Sequence, residues 1–282
     1  MKVAKTVLAL GITMLMAISL AHAVEIGPAP TSTSLNSDGS FAVSSASVSS
    51  SACGSGCAGG TVYYPNTAGS YGVIAVCPGF TNTSSAISWF ARRMATHGFV
   101  TIAMNTNSRY DFPASRATQL RAVLNYLVNS SSSTIRSRIR SADRGVSGYS
   151  MGGGGTLLAS RDDSTLKTGV PMAPYNSGTI SGVNVPQMII GGSNDSIAPV
   201  SSMARPFYNN IPSTVKKALA VLNGASHLTF TSYDERAARY GVAFAKRFAD
   251  GDTRYTPFLC GAEHTAYATS SRFTEYSSNC PY

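Results

Sequence analysis

Charge is scarce in this sequence: Asp, Glu, Lys and Arg make up 12% of 282 residues, roughly half of the ~25% usual in soluble domains. A highly charged, disordered chain is thereby excluded, and with 43% hydrophobic residues there is material for one sizeable core without need of a second. Acids are the scarcer sign, 13 against 22 bases. A basic balance can signal nucleic acid, but no Lys/Arg cluster here alternates with aromatics. The densest run, Arg136, Arg138, Arg140 and Arg144, reads as a solvated helix end and loop. Nucleic acid is therefore not an expected partner, and the charge is read as colloidal, an aid to adsorption on a neutral or anionic surface. Beyond the N-terminus no segment reaches the ~18 consecutive apolar residues of a membrane span. Metal ligands are sparse too. No second Cys/His pair stands near Cys53 and Cys57 at finger-like spacing, so neither a metal nor a cofactor is expected.

What is present begins with a targeting segment. Lys2 and Lys5 precede the apolar stretch Val7 to Leu20, and Ala21-His22-Ala23 is a small-x-small cleavage site. Residues 1–23 thus read as a signal peptide cleaved after Ala23, and the product as secreted. Its removal takes away two lysines and no acid, so 22 bases become 20 against 13 acids, a formal charge of +7. Five cysteines in an exported chain read as disulfide material with one left over. Cys260 and Cys280 are the favoured pair, and closing their loop would contribute ~3 kcal/mol. Cys53 and Cys57, in Cys-Gly-Ser-Gly-Cys, can close a small ring. Cys77 ends the apolar run from Val73 and reads as a small core hydrophobe.

Residues 24–59 are rich in Ser, Ala, Thr and Gly and read as a flexible leader. Residues 60–282 read as one domain in which short apolar runs alternate with helical patterns. Strands are expected at 72–77, 99–104, 144–149, 168–172, 186–190 and 218–222. Helices are expected at 84–96, 115–129, 151–160, 201–209 and 233–249; in the last, Ala237, Tyr240, Phe244 and Phe248 share a face. Continuous apolar strands alternating with helices predict an α/β fold, a mostly parallel central sheet covered by helices on both faces.

Chemistry concentrates at Gly148-Tyr149-Ser150-Met151-Gly152, a G-x-S-x-G pattern between an apolar run and a helical one. A strand, a sharp turn and a helix is the setting of a nucleophile elbow. Gly148 and Gly152 leave room for the turn, and the start of the helix puts the Met151 N–H beside Ser150 Oγ. A lone serine is a poor nucleophile and needs a base and an orienting carboxylate. In this arrangement they follow the serine as acid, then histidine. Of four histidines, His22 leaves with the signal and His97 precedes Ser150. His227, in a loop of small residues after an apolar strand, is preferred over His264. Asp195 directly follows the run 187–190, whereas Asp162 and Asp163 lie too close behind the elbow and Asp234, Asp250 and Asp252 follow the base. The second oxyanion donor is expected after the strand ending at Cys77, at the Phe80 N–H in Pro78-Gly79-Phe80-Thr81.

These residues, with His97-Gly98-Phe99-Val100, Asn105-Thr106-Asn107-Ser108, Ala173-Pro174-Tyr175, Asn194 to Pro199, Ser226-His227 and Asp252-Thr253-Arg254-Tyr255, resemble the bacterial polyester hydrolases: PET hydrolase, the cutinases and related cold-adapted lipases. The matches run in order over nearly all of the chain after residue 60. The resemblance implies an α/β-hydrolase without a lid, an open cleft, and Ser150, Asp195 and His227 as triad with Phe80 and Met151 as oxyanion donors. It further implies that Tyr149, Tyr175, Ile197, Thr81 and Leu228 contact substrate, with the Tyr175 ring suited to stacking on an aromatic diacid. The partner expected is an insoluble or emulsified ester, and the chain a monomer. Three departures stand out. Gly192 and Thr229 occupy positions where PET hydrolase carries a disulfide beside the acid and base, implying looser triad loops. Leu228 replaces Ser or Phe after the base, and Cys53 and Cys57 fall outside the family pattern. Competing readings are a triacylglycerol lipase or short-chain carboxylesterase and, from another class, a surface-adsorbing module on the same fold.

Overall fold

A computed structural model describes residues 24–282; the expected signal peptide lies outside the described residues. Nine strands form one sheet: β1 (Val43–Val48), β2 (Gly60–Pro65), β3 (Tyr71–Cys77), β4 (Phe99–Met104), β5 (Ile139–Tyr149), β6 (Thr168–Met172), β7 (Gln187–Gly192), β8 (Lys217–Leu222) and β9 (Phe273–Ser278). Their spatial order is β1-β2-β4-β3-β5-β6-β7-β8-β9. The six strands from β4 to β8 are mutually parallel. Antiparallel strands close both edges, β1 and β2 on one side and β9 on the other.

Each central strand is apolar along its length because both faces are covered. In β3, Val73, Ala75 and Cys77 face one core while Ile74 and Val76 face the other. Helices α1 (Ser88–Thr96) and α5 (Glu235–Phe248) cover the second face, through Phe90, Met94, Tyr240 and Phe244. Helices α2 (Pro113–Asn129), α3 (Met151–Asp162) and α4 (Ala204–Asn210) cover the first, through Leu120, Leu124, Leu157 and Phe207. The α/β architecture read from the alternation of apolar runs is therefore the one that forms, and β4 and β6 have the expected bounds.

The flexible leader is a correction. Val43–Val48 pairs with β2 over six residues, and Leu35 is fully buried against the α1/α5 core. A Ser-rich edge strand draws its order from its partner's backbone and shows little apolar periodicity of its own. The basic run departs from its reading as well. Arg140, like Arg144 of the expected strand, lies within β5, and it pairs with Asp143 and with the buried Asp250. Strand β9 has no counterpart among the expected elements; it too is a half-exposed edge. Disulfides join Cys53 to Cys57 and Cys260 to Cys280, and Cys77 is a buried free thiol.

Candidate active site

Four loops leave the carboxyl ends of parallel strands on one side of the sheet, where open α/β sheets bind their ligands. They follow β3, β5, β7 and β8, and they carry Phe80, Ser150, Asp195 and His227.

Ser150 is the single residue between β5 and α3. Its φ of 56° and ψ of −119° are sterically costly for a residue with a Cβ. Close packing holds that geometry. A Cβ on Gly148 would lie 2.4 Å from the Gly152 oxygen, and one on Gly152 would lie 2.3 Å and 2.4 Å from the Cys77 and Pro78 oxygens. Only glycine lets α3 press this near the strand ends. The backbone is pinned as well, the Ser150 N–H donating to Met172 O (3.0 Å) and the Tyr175 N–H to Ser150 O (2.9 Å).

His227 stands between the serine and the acid. Its Nε2 lies 2.9 Å from Ser150 Oγ and its Nδ1 2.7 Å from Asp195 Oδ2. The other carboxylate oxygen of Asp195, Oδ1, accepts the N–H groups of Ile197 (2.9 Å) and Ala198 (2.7 Å). Burial alone would raise the Asp195 pKa; the hydrogen bonds from His227 and the Ala198 and Ile197 amides outweigh it, so the carboxyl is held below its usual value. All three residues are buried to 6% exposure, leaving Ser150 Oγ at the floor of a cleft. The Tyr149 ring packs on the imidazole with centroids 5.0 Å apart. Burial, and then the Asp195 charge, raises its pKa, so the phenol stays protonated. The other described histidines are engaged elsewhere. His97 is buried against Ser37 O, its pKa pushed down to about 3 by desolvation, and His264 Nδ1 meets the Tyr240 hydroxyl at 2.7 Å.

Met151 opens α3, so its N–H has no intrahelical acceptor. Among the described residues no backbone acceptor takes the Phe80 N–H either. The cleft is open, about 240 Å³, and lined by Phe80, Thr81, Asn82, Tyr149, Ser150, Ile197, His227 and Leu228. Its rim is apolar and wet: Phe80 is 42% exposed, Ile197 56% and Leu228 65%. Five sequence-expected residues therefore meet at Ser150 and His227. Among the expected substrate contacts Tyr175 is the exception. It is half-buried and absent from the lining, and it reaches the site through its N–H to Ser150 O.

Two residues escaped the sequence reading. Asn82 lines the cleft, and its place two residues after Phe80 was the signal. Tyr110, 60% exposed, sets its ring edge-on to Phe80 at 5.6 Å from a loop remote in sequence; nothing local foretells that contact.

No disulfide bridges the acid and base loops, and hydrogen bonds tie them instead. The Asn194 N–H donates to Ala225 O (2.9 Å) and the Gly224 N–H to Ser193 Oγ (2.8 Å). Thr229 Oγ1 accepts the Ser226 N–H (2.9 Å), and the indole N–H of Trp89 donates to Phe230 O (3.0 Å).

A family model described as PET hydrolase-like matches residues 18–281. The chain belongs to the PET hydrolase-like family. Among curated relatives it is 43% identical over 281 residues to a cutinase of Thermobifida fusca, covering 99% of this chain and 92% of that one. It is 44% identical over 265 residues to cutinase 1 of Thermobifida cellulosilytica, 93% of this chain and all of the relative. A bis(hydroxyethyl) terephthalate hydrolase of Streptomyces coelicolor is 41% identical over 262 residues, with 92% and 82% covered. A Cβ on Gly192 would lie 2.4 Å from Ala225 O, so the loops bearing Asp195 and His227 approach here more closely than a side chain at 192 would allow.

Proposed function

We propose that Ser150, His227 and Asp195 form the acyl-transfer machinery of a polyester-cleaving carboxylic ester hydrolase. The observation that carries this is the continuous line Ser150 Oγ–His227 Nε2–His227 Nδ1–Asp195 Oδ2, at 2.9 Å and 2.7 Å, opening on an apolar-rimmed cleft. Cutinase and terephthalate-ester hydrolase names among the relatives point to the same chemistry.

In the reaction His227 Nε2 takes the Ser150 hydroxyl proton as Oγ bonds to the ester carbonyl carbon. The imidazolium that forms is stabilised by ionised Asp195, whose low pKa keeps the charge in place. The tetrahedral oxyanion is met by the N–H groups of Met151 and Phe80, both unused by the protein itself. His227 returns the proton to the departing alkoxide, leaving an acyl-serine. Water, deprotonated by the same imidazole, attacks that ester; the carbon–Oγ bond then breaks as His227 returns the proton to Ser150 Oγ, freeing the acid and restoring the neutral imidazole. The open cleft and exposed Phe80, Ile197 and Leu228 suit a chain lying on the surface of a solid. Tyr149 and Thr81, both in the cleft lining, complete the contacts we assign to substrate, with no cofactor required by any step. The signal peptide reading and the two disulfides support secretion, and no described helix is long and apolar enough to cross a membrane.

The test is clearing of a suspended polyester by the mature protein beside Ser150→Ala. Clearing by the wild type alone supports the proposal. If wild type cleaves only short soluble esters, the carboxylesterase or lipase reading replaces it; if Ser150→Ala is as active as wild type, the serine assignment fails.

A further inference from the structure

We infer that Arg116 is a positioning residue that holds the Phe80 N–H in the oxyanion site. The inference rests on the reading of Phe80 given above and goes beyond it to what sets that loop in place.

Arg116 lies on α2, and its side chain is fully buried. Burying a guanidinium costs several kcal/mol unless it is well bonded, yet its three hydrogen bonds all go to main-chain carbonyls. Nη1 donates to Pro78 O (3.0 Å), Nη2 to Arg109 O (3.0 Å) and Nε to Asp111 O (2.7 Å). Pro78 precedes Phe80 by two residues. On the other side of Phe80, the Thr81 N–H donates to Arg109 O at 2.8 Å, the same carbonyl that Nη2 holds. One rigid fork thus fastens the loop before and after the proposed donor.

The loop needs fastening. Thr81 has φ 62°, in the left-handed region disfavoured for a β-branched residue. Phe80 is exposed and its N–H has no backbone acceptor among the described residues; the turn's own bond, from the Asn82 N–H to Gly79 O, is long at 3.2 Å, and Arg116 holds both ends of the turn from outside. The same carbonyls connect to the other donor. The Pro78 oxygen is one of the two carbonyl oxygens a Cβ on Gly152 would strike, and a Cβ on Gly155 would lie 2.9 Å from Arg116 Cβ. Arg116 therefore packs between α3, which presents Met151, and the loop, which presents Phe80. Its grip on Arg109 and Asp111 also sets the loop bearing Tyr110, whose ring touches Phe80.

Lysine keeps the charge but offers a single donor point in place of the fork. The tests are Arg116→Lys and Arg116→Met, assayed on a soluble nitrophenyl butyrate, with active serines counted by titration with a reactive phosphonate. Since full loss of one oxyanion donor typically costs about 100- to 1,000-fold, kcat per titrated serine is expected to fall about 10-fold in Arg116→Lys and about 100-fold in Arg116→Met. KM should stay within about threefold, because the ground-state ester makes little use of the oxyanion site. Should Arg116→Met fail to fold, Arg116→Lys alone decides. Wild-type turnover per titrated serine in Arg116→Lys, whatever its melting temperature, refutes the role and leaves Arg116 a structural residue. Absence of esterase activity in the wild type would instead remove the parent reading and this one with it.

Discussion

Asp195→Asn tests the triad through its lone pairs. The two carboxylate oxygens are not equivalent: Oδ1 accepts two amide N–H groups, and Oδ2 accepts one from the imidazole. An asparagine has one oxygen and one NH2. Turning the NH2 toward Ile197 and Ala198 would face it with two donors, so the side-chain oxygen must stay there and the NH2 must face His227 Nδ1. The imidazole can then bond only as the tautomer whose proton sits on Nε2, pointing at Ser150 Oγ. A base that already carries a proton on the working nitrogen cannot take the serine's. A comparable tautomer trap costs about 10⁴-fold in kcat, which is about 5 kcal/mol of barrier. The assay is kcat on nitrophenyl butyrate from pH 5 to 10, with thermal melting alongside. The residue is isosteric, so melting near neutrality should drop only modestly. The sign of its pH dependence follows from the depressed Asp195 pKa. Ionised Asp195 favours the fold above the ordinary carboxylate value, and that advantage fades as pH falls through the lower folded value. The melting gap between wild type and Asp195→Asn should therefore close on acidification. A kcat within tenfold of wild type would refute the argument, because no tautomer shift is that mild.

Two further perturbations separate the site from the scaffold. Gly152→Ala places a Cβ within 2.4 Å of two carbonyl oxygens under the elbow; kcat should fall at least about 100-fold, as for a lost oxyanion donor, and an active, normally folded variant would contradict the packing argument. Lys246→Met leaves the buried Asp250 with Arg140 as its remaining cation. Breaking such a pair costs about 3 kcal/mol, or about 6–12 °C of melting temperature for a chain of this size. Turnover per serine should not change, since Arg140 lies at the start of β5, away from Ser150 at its far end, and a matching loss of kcat would show the two ends to be coupled.

The contrast between β5 and β1 shows what the sequence makes legible. In β5, Val146 to Tyr149 is buried on both faces and runs straight into a turn that glycines alone can make, so strand, elbow and nucleophile are all written locally. In β1, Val-Ser-Ser-Ala-Ser-Val is held by its pairing with β2; its order is a property of the pair, and composition alone pointed to a loose leader. The site divides along the same line. That Asp195 and His227 would gather beside Ser150 was legible because each follows an apolar run in the order the elbow demands. Tyr110 and Arg116 were not, because what they do depends on carbonyls of segments remote in the chain. The Gly192 and Thr229 departure makes the point most sharply. Missing cysteines implied looser triad loops; the close approach at Gly192 and the Asn194–Ala225 and Gly224–Ser193 bonds join the same loops by means that no residue count reveals. Each such bond contributes only about 1 kcal/mol, but together they set the separation of the His227 loop from that of Asp195, and the orientation of the imidazole follows from its own bonds to Asp195 and Ser150.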